Sequence, residues 1–260
     1  MLKQVLVTGG AQRLGAELVR HFARNQWNVW CHYQHSRAAA EQLSAELNSE
    51  GLPIQLVQAD LASTEDMQSM MNHIAERSGP LTALVNNAST FEPDQGSDFS
   101  VSTTRRQLDV NLIAPMFLGQ ALAQQHQDQP PTDACIIHIL DQKVFNLNPD
   151  YFSYTLSKLA LERAVALQAQ ALAPRIRVCG VAPGLMFLSG PQSPDNFDIA
   201  SRVNLLRRRI DPADVAKTCV FVASTPSING ATIQVDNGQH LVPLDQDVMF
   251  KVDQWLKATP

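Results

Sequence analysis

Short apolar or β-branched runs alternate with longer amphipathic stretches along the whole chain, and this alternation is the strongest constraint on its fold. The runs are Gln4 to Val7, Asn28 to Cys31, Ile54 to Val57, Ala83 to Asn86, Cys135 to Leu140, Ile176 to Val181 and Thr232 to Val235. Strands that recur with a helix between them pair in parallel, because a parallel neighbour needs a long crossover. The pattern predicts an α/β fold: a doubly wound, Rossmann-type parallel sheet of about seven strands, in one domain spanning residues 1–260. Helix starts support it. Ser36 is placed to cap an Ala-rich stretch ending near Gly51, Ser63 and Asp66 make a capping-box-like start, and Asp211 precedes Pro212. The polar stretch from Gln124 to Asp133 reads as a surface connection. Residues 184–210, rich in Gly, Pro and Ser at their start, follow a strand and form the candidate substrate loop or lid.

Composition narrows the function classes. With 260 residues, 45% of them hydrophobic, 20 basic against 25 acidic side chains and a net charge of −5, the chain has no basic field for nucleic acid or an anionic membrane. The cluster Arg207-Arg208-Arg209 reads as a solvated helix face. The apolar start is too short for a signal peptide, and no run is long enough for a membrane span. Four widely spaced cysteines read as buried thiols of a reducing, cytoplasmic setting, and the histidines show no metal-ligand spacing, so no metal is expected.

The first strand runs into Thr8-Gly9-Gly10-Ala11-Gln12-Arg13-Leu14-Gly15, followed by a helical pattern. A glycine turn opening a helix presents free N–H groups and the positive end of the helix dipole to a pyrophosphate. The second strand ends in His32-Tyr33-Gln34-His35-Ser36-Arg37, with no carboxylate between Glu17 and Glu41. An acid there would select the free ribose hydroxyl of NADH. Its absence, with Arg13, His32 and Ser36 nearby, predicts NADPH; Arg13 and Arg37 could otherwise be ordinary surface charges. Asp60 in Ala59-Asp60-Leu61 reads either as an adenine contact or as a helix-start residue.

Tyr154 and Lys158 lie one helical turn apart on one face. A neighbouring ammonium favours a phenolate and makes a tunable proton donor. Together with the glycine loop, Asn86-Asn87-Ala88-Ser89 and Asn111, this Y-x-x-x-K pair resembles the short-chain dehydrogenase/reductase superfamily over essentially the full chain. Two departures stand out. Arg13 replaces the middle glycine of the T-G-x-x-x-G-x-G fingerprint, and Asp141 stands thirteen residues before Tyr154, where most members place a substrate-binding serine. A carboxylate there would raise the tyrosine's pKa and oppose Lys158, an arrangement suited to protonating a ring nitrogen.

Arg13, His32-Tyr33 with Ser36, Asn87 to Phe91, and Asp141 with Tyr154 and Lys158 are jointly similar to the pteridine reductases. The resemblance implies NADPH-dependent reduction of a pterin or dihydrofolate-type C=N bond; a reductase of another carbonyl or C=N compound, or a non-catalytic nucleotide-binding protein, is the rival reading. It implies catalytic roles for Asp141, Tyr154 and Lys158, with Asn111 supporting a water relay. Cofactor contacts are implied at Gly9, Arg13, Leu14 and Gly15, at His32, Tyr33 and Ser36, and at Asp60 and Leu61. Asn87, Ala88 and Ser89, then Tyr154, Lys158, Pro183 and Gly184, complete them. Substrate contacts are implied at Ser89, Phe91, Asp141, Tyr154 and Leu185, with Phe91 stacking on the pterin or else serving as a core aromatic. Family members are usually homotetramers. The tail beyond Leu244 suggests either a subunit contact or a cover for the pocket.

Overall fold

A computed structural model describes residues 3–127 and 133–258. Seven strands, β1 (Gln4–Val7), β2 (Asn28–Tyr33), β3 (Gln55–Gln58), β4 (Ala83–Asn86), β5 (Ala134–Ile139), β6 (Ile176–Pro183) and β7 (Thr232–Val235), form one sheet in the order β3-β2-β1-β4-β5-β6-β7. Every pairing is parallel, with Leu6 opposite both Trp30 and Leu84, and Val85 opposite Ile137. The expected strands therefore form, some shifted or extended by one or two residues. The helices are α1 (Arg13–Arg24), α2 (Arg37–Ser49), α3 (Thr64–Ser78), α4 (Val101–Leu108), α5 (Ala114–Gln125), α6 (Phe152–Leu172), α7 (Pro194–Ala200), α8 (Pro212–Ala223) and α9 (Val248–Ala258). A π-helical turn, Asp109–Ile113, joins α4 to α5.

Strand side chains alternate between two cores. Val5, Val7, Val85 and Ile137 pack with α1, α2 and α8 through Phe22, Leu43 and Val215. Leu6, Leu84 and Ile136 face α3 and α5 through Met71, Ile74 and Leu118. Because both faces of the central strands are covered, they read as continuous apolar runs rather than as alternating ones. The strand order turns back between β1 and β4, and the crevice outside the carboxyl ends opens at that switch point.

Helix starts divide. Ser63 accepts from the Asp66 N–H at 3.1 Å, and Asp211 accepts from the Ala213 N–H at 2.9 Å, as the sequence predicts. Ser36 precedes α2 but its hydroxyl makes no capping bond; its carbonyl accepts from the Ala40 N–H instead. Arg207-Arg208-Arg209 is not on a helix face: it is an exposed loop, in which Arg209 pairs with Asp198 at 2.7 Å. The 184–210 segment is not wholly irregular, since α7 forms within it, started by Ser193 and by Pro194 at its first position. The tail beyond Leu244 becomes α9. Residues 128–132 of the expected surface connection lie outside the described residues. Among the described residues, no helix is long and apolar enough to cross a membrane.

Leu118 is fully buried between α5 and the sheet. Leu118→Ala is expected to lower stability by about 2–5 kcal/mol, read from the urea midpoint at unchanged slope.

Candidate active site

A cleft of about 820 Å³ runs across the carboxyl ends of the strands, from the β1 glycine loop to α9. At one end, Thr8 ties the switch point together. Its hydroxyl accepts from the Asn87 and Ala88 N–H groups at 2.9 and 3.0 Å, while the Asn87 amide donates to the carbonyls of Thr8 and Gly9 at 3.0 and 3.1 Å. Gly15 packs so tightly under this loop that a Cβ would fall 1.9 Å from the Gly9 carbonyl oxygen. Gly9 has φ +60° and backs onto Ala88. The loop is thus a cradle with room for backbone only.

His32 differs from its expected role as a phosphate ligand. Its imidazole is buried and committed at both nitrogens: Nδ1 accepts from the Gly9 N–H at 3.0 Å, and Nε2 lies 3.1 Å from the Ala59 carbonyl. Burial pushes its pKa down to about 4, so the neutral ring braces the glycine loop instead of pairing with an anion. The His32 carbonyl adds a bond from the Gly10 N–H at 2.7 Å. Arg13 lines the cleft with a left-handed backbone, φ +51°, where the superfamily pattern has glycine. Such a conformation costs a non-glycine residue on the order of 1–2 kcal/mol, so the guanidinium is retained against a backbone preference. It donates to the Leu188 carbonyl at 3.0 Å and stacks over Phe187, joining the nucleotide end to the loop after β6.

Leu14, Tyr33, Ser36, Asp60 and Leu61 line the same end, and Pro183, Gly184 and Leu185 line it from β6. Asp60 makes a turn, its Oδ1 accepting from the Ala62 N–H at 2.9 Å, so the helix-start reading has geometric support while the residue still borders the cleft.

The chemical end is built on β5 and α6. The Tyr154 hydroxyl donates to Asp141 Oδ2 at 2.9 Å, and Asp141 Oδ1 accepts from the Lys143 N–H at 2.8 Å. Burial raises the Asp141 pKa against the pull of these bonds. Burial and then Asp141 hold the Tyr154 phenol well above its usual pKa. Lys158 does not reverse this: its Nζ donates to the Ile139 carbonyl at 2.8 Å and lies 5.7 Å from the Tyr154 ring centroid. Burial lowers its own pKa to about 8. The expected lysine-tuned phenol is therefore a phenol governed first by its own burial and then by its carboxyl partner.

Asn111, expected in a relay behind the lysine, sits in the π-helical turn with its side chain fully committed. Oδ1 accepts from the Thr90 N–H at 2.8 Å and from Ser89 Oγ at 3.0 Å. Nδ2 donates to the Thr90 carbonyl at 2.9 Å and to Ser157 Oγ at 3.0 Å. Its amide positions the Ser89 segment against α6. Phe91 is partly exposed at the cleft, stacked on Tyr151 at 4.1 Å between centroids and edge-on to Tyr154 at 4.6 Å, which excludes the core-aromatic reading.

Sequence reasoning missed Lys143, Tyr151, Asp247 and Met249, all of which line this end. Tyr151 was legible as an aromatic three residues before Tyr154, and it stands immediately before the helix that carries Tyr154. The α9 residues carry no local signal, because only the tertiary fold brings them over the cleft.

The family model described as enoyl-(acyl carrier protein) reductase matches residues 9–240. Pteridine reductase 1 of Leishmania tarentolae is 32% identical, covering 91% of this chain and 96% of that protein. Dihydromonapterin reductase of Escherichia coli K12 is 22% identical over the same shares. Among solved structures, FolM alternative dihydrofolate reductase 1 from Brucella canis, complexed with NADP, superimposes with a TM-score of 0.87 at 36% identity, covering 92% of this chain and 94% of that one. The Brucella suis protein in complex with NADP gives 0.86 at 36% identity.

The buried Lys158 sets a pH signature. With a folded pKa near 8 against 10.5 for the free group, the unfolded chain binds more protons between those values. Stability from this group therefore rises with pH across that window and is lowest below it. Lys158→Met is expected to flatten that rise, measured as the difference between native and variant urea unfolding at pH 7 and pH 10.

Proposed function

The chain belongs to the short-chain dehydrogenase/reductase family, and from that premise we propose that it is an NADPH-dependent reductase of a dihydropterin or dihydrofolate-type C=N bond. The observation that carries the reading is the Tyr154–Asp141 hydrogen bond, in the place where the superfamily pattern puts a serine. A serine hydroxyl would polarise a ketone; a carboxyl joined to a phenol holds a proton for a nitrogen. The names of the relatives, pteridine, dihydromonapterin and dihydrofolate reductases, point the same way.

The glycine loop suits a dinucleotide, since Gly15 and Gly9 let the loop pack closely on itself and on Ala88, where a side chain would collide, and a tight turn opening a helix offers its N–H groups to a pyrophosphate. Gly9, Leu14, Gly15 and Asn87 to Ser89 would hold its phosphate and nicotinamide ends, with Asp60 and Leu61 toward the adenine. Arg13 and Ser36, facing a second-strand end without a carboxylate, favour the 2′-phosphate of NADPH over NADH.

When bound, NADPH supplies the hydride for the pterin carbon. Phe91 would offer its ring face to the flat heterocycle, and Ser89 Oγ, bonded to Asn111, would bond ligand and cofactor. With Asp141 protonated, as its raised pKa favours, the bond it shares with Tyr154 would run the other way: Tyr154 would give its hydroxyl proton to the neighbouring nitrogen while its oxygen takes the Asp141 proton, and Asp141 would be reprotonated from solvent in the cleft. Lys158, anchored to Ile139, keeps a positive charge at the base of the site below about pH 8 and favours the transient phenolate. Four buried free cysteines suit a reducing cytoplasm. Exposed Ile113, Leu156, Leu167 and Phe221 offer apolar surface for a homotetramer, which sedimentation would reveal and a monomer would contradict.

Tyr154→Phe should cut pterin turnover by about 10²–10⁴-fold while the NADPH dissociation constant stays within about twofold. Asp141→Ala should lose a comparable factor on pterins. NADPH-consumption assays on dihydropterins, dihydrofolate and a carbonyl panel test the substrate class: turnover of carbonyl compounds alone, or of none despite NADPH binding, would overturn it. Arg13→Gly should weaken NADPH but not NADH binding.

A further inference from the structure

Lys143 leaves β5 two residues after Asp141 and turns back under α9. Its side chain is 4% exposed. Nζ donates to Asn148 Oδ1 at 2.6 Å, lies 3.5 Å from Asp247 Oδ2 and sits over the Tyr151 ring at 5.3 Å from the centroid. Asp247 is the residue before α9: its Oδ1 accepts from the Met249 N–H at 3.0 Å, and its own N–H donates to Asp150 Oδ2 at 2.7 Å. Three charged groups, Lys143, Asp150 and Asp247, therefore converge where α9 begins.

What α9 covers gives this junction its consequence. Met249 packs in one cluster with Tyr151 and Tyr154, and Phe250 stacks parallel to Tyr151 at 6.1 Å. Tyr151 in turn stacks on Phe91. The far side of α9 is fastened to α7 by Asn196, whose buried amide donates to the Met249 carbonyl and to Asp253. The first turn of α9 thus forms a wall of the substrate end within the same apolar cluster as the proton donor, and the ionic junction fixes that turn to the segment after β5 that bears Asp141.

We propose that Lys143 is a positioning residue for the substrate site: steadied by Asn148, it locks the N-terminus of α9 across the cleft through Asp247 and so holds Met249, Tyr151 and Phe91 at the spacing the flat substrate requires. Its ammonium acts through Asp247 and through the face of Tyr151, not on the reacting atoms. Removing Asp247 would leave the buried Lys143 ammonium without its carboxylate partner, which is costly. The proposal rests on the pterin-reductase reading for its kinetic readout, and on geometry alone for its structural one.

The test uses Lys143→Met, Lys143→Arg, Asp247→Asn and the double variant Lys143→Met with Asp247→Asn. Lys143→Met is expected to raise the KM for dihydrobiopterin about tenfold while NADPH binding, followed by nucleotide fluorescence, stays within about twofold, and the double variant should be no worse than the worse single one. Lys143→Arg, which can still pair with the carboxylate, should restore most of the loss. An unchanged KM, or an NADPH dissociation constant that rises in step with it, overturns the proposal. Hydrogen exchange reads the lock without turnover: in Lys143→Met, amides of residues 249–258 should exchange about tenfold faster while those of α8 do not change. Unchanged exchange in α9 overturns the lock; faster exchange in a protein that reduces no pterin sustains it and discards only the substrate reading.

Discussion

A carboxyl and a phenol sharing a hydrogen bond at the floor of the cleft constrain everything around them. The Tyr154 hydroxyl and Asp141 meet at 2.9 Å in a desolvating setting that raises both pKa values, so neither group ionises at its ordinary pKa. The arrangement needs α6 to start where it does, and the chain achieves this by placing Tyr151 in a left-handed conformation, φ +53°, just before the helix. It also needs the chain to stay extended for two residues beyond β5, and Asp141 does so while starting the short helical turn that follows. Asn111, in its π-helical turn, ties the same helix to the Ser89 segment.

The electrostatic order of the site follows from distance. Lys158 is spent on the Ile139 carbonyl and influences Tyr154 from across the ring, whereas Asp141 touches the hydroxyl directly. Direct contact in a low-dielectric setting outweighs a more distant charge of opposite sign. The phenol is consequently a reluctant acid, which suits protonation of a basic nitrogen better than polarisation of a carbonyl. At the other end, neutral His32 leaves the glycine loop braced without adding charge, and Arg13 remains as the cation facing the nucleotide space.

Much of this was legible in the chain. Alternating runs give the sheet because parallel strands covered on both faces must be apolar throughout, and Tyr154 with Lys158 is visible because helical spacing is local. Asp141 and Arg13 were visible as departures from a pattern. His32 was misread because a histidine at a strand end looks the same whether its ring faces outward or lies under a neighbouring loop; only the packing of Gly9 and Ala59 around it decides. The committed amide of Asn111 and the cover formed by α9 depend on contacts between segments 21 to 104 residues apart, which no local pattern encodes.

The Asp141 carboxyl is proposed to supply the proton passing through Tyr154, and single-turnover pterin reduction followed against pH, in the native protein and in Asp141→Asn, checks it. The native rate should fall as pH rises through the raised pKa of Asp141, and the variant should be slow and lack that limb. An Asp141→Asn profile retaining the same limb would contradict it.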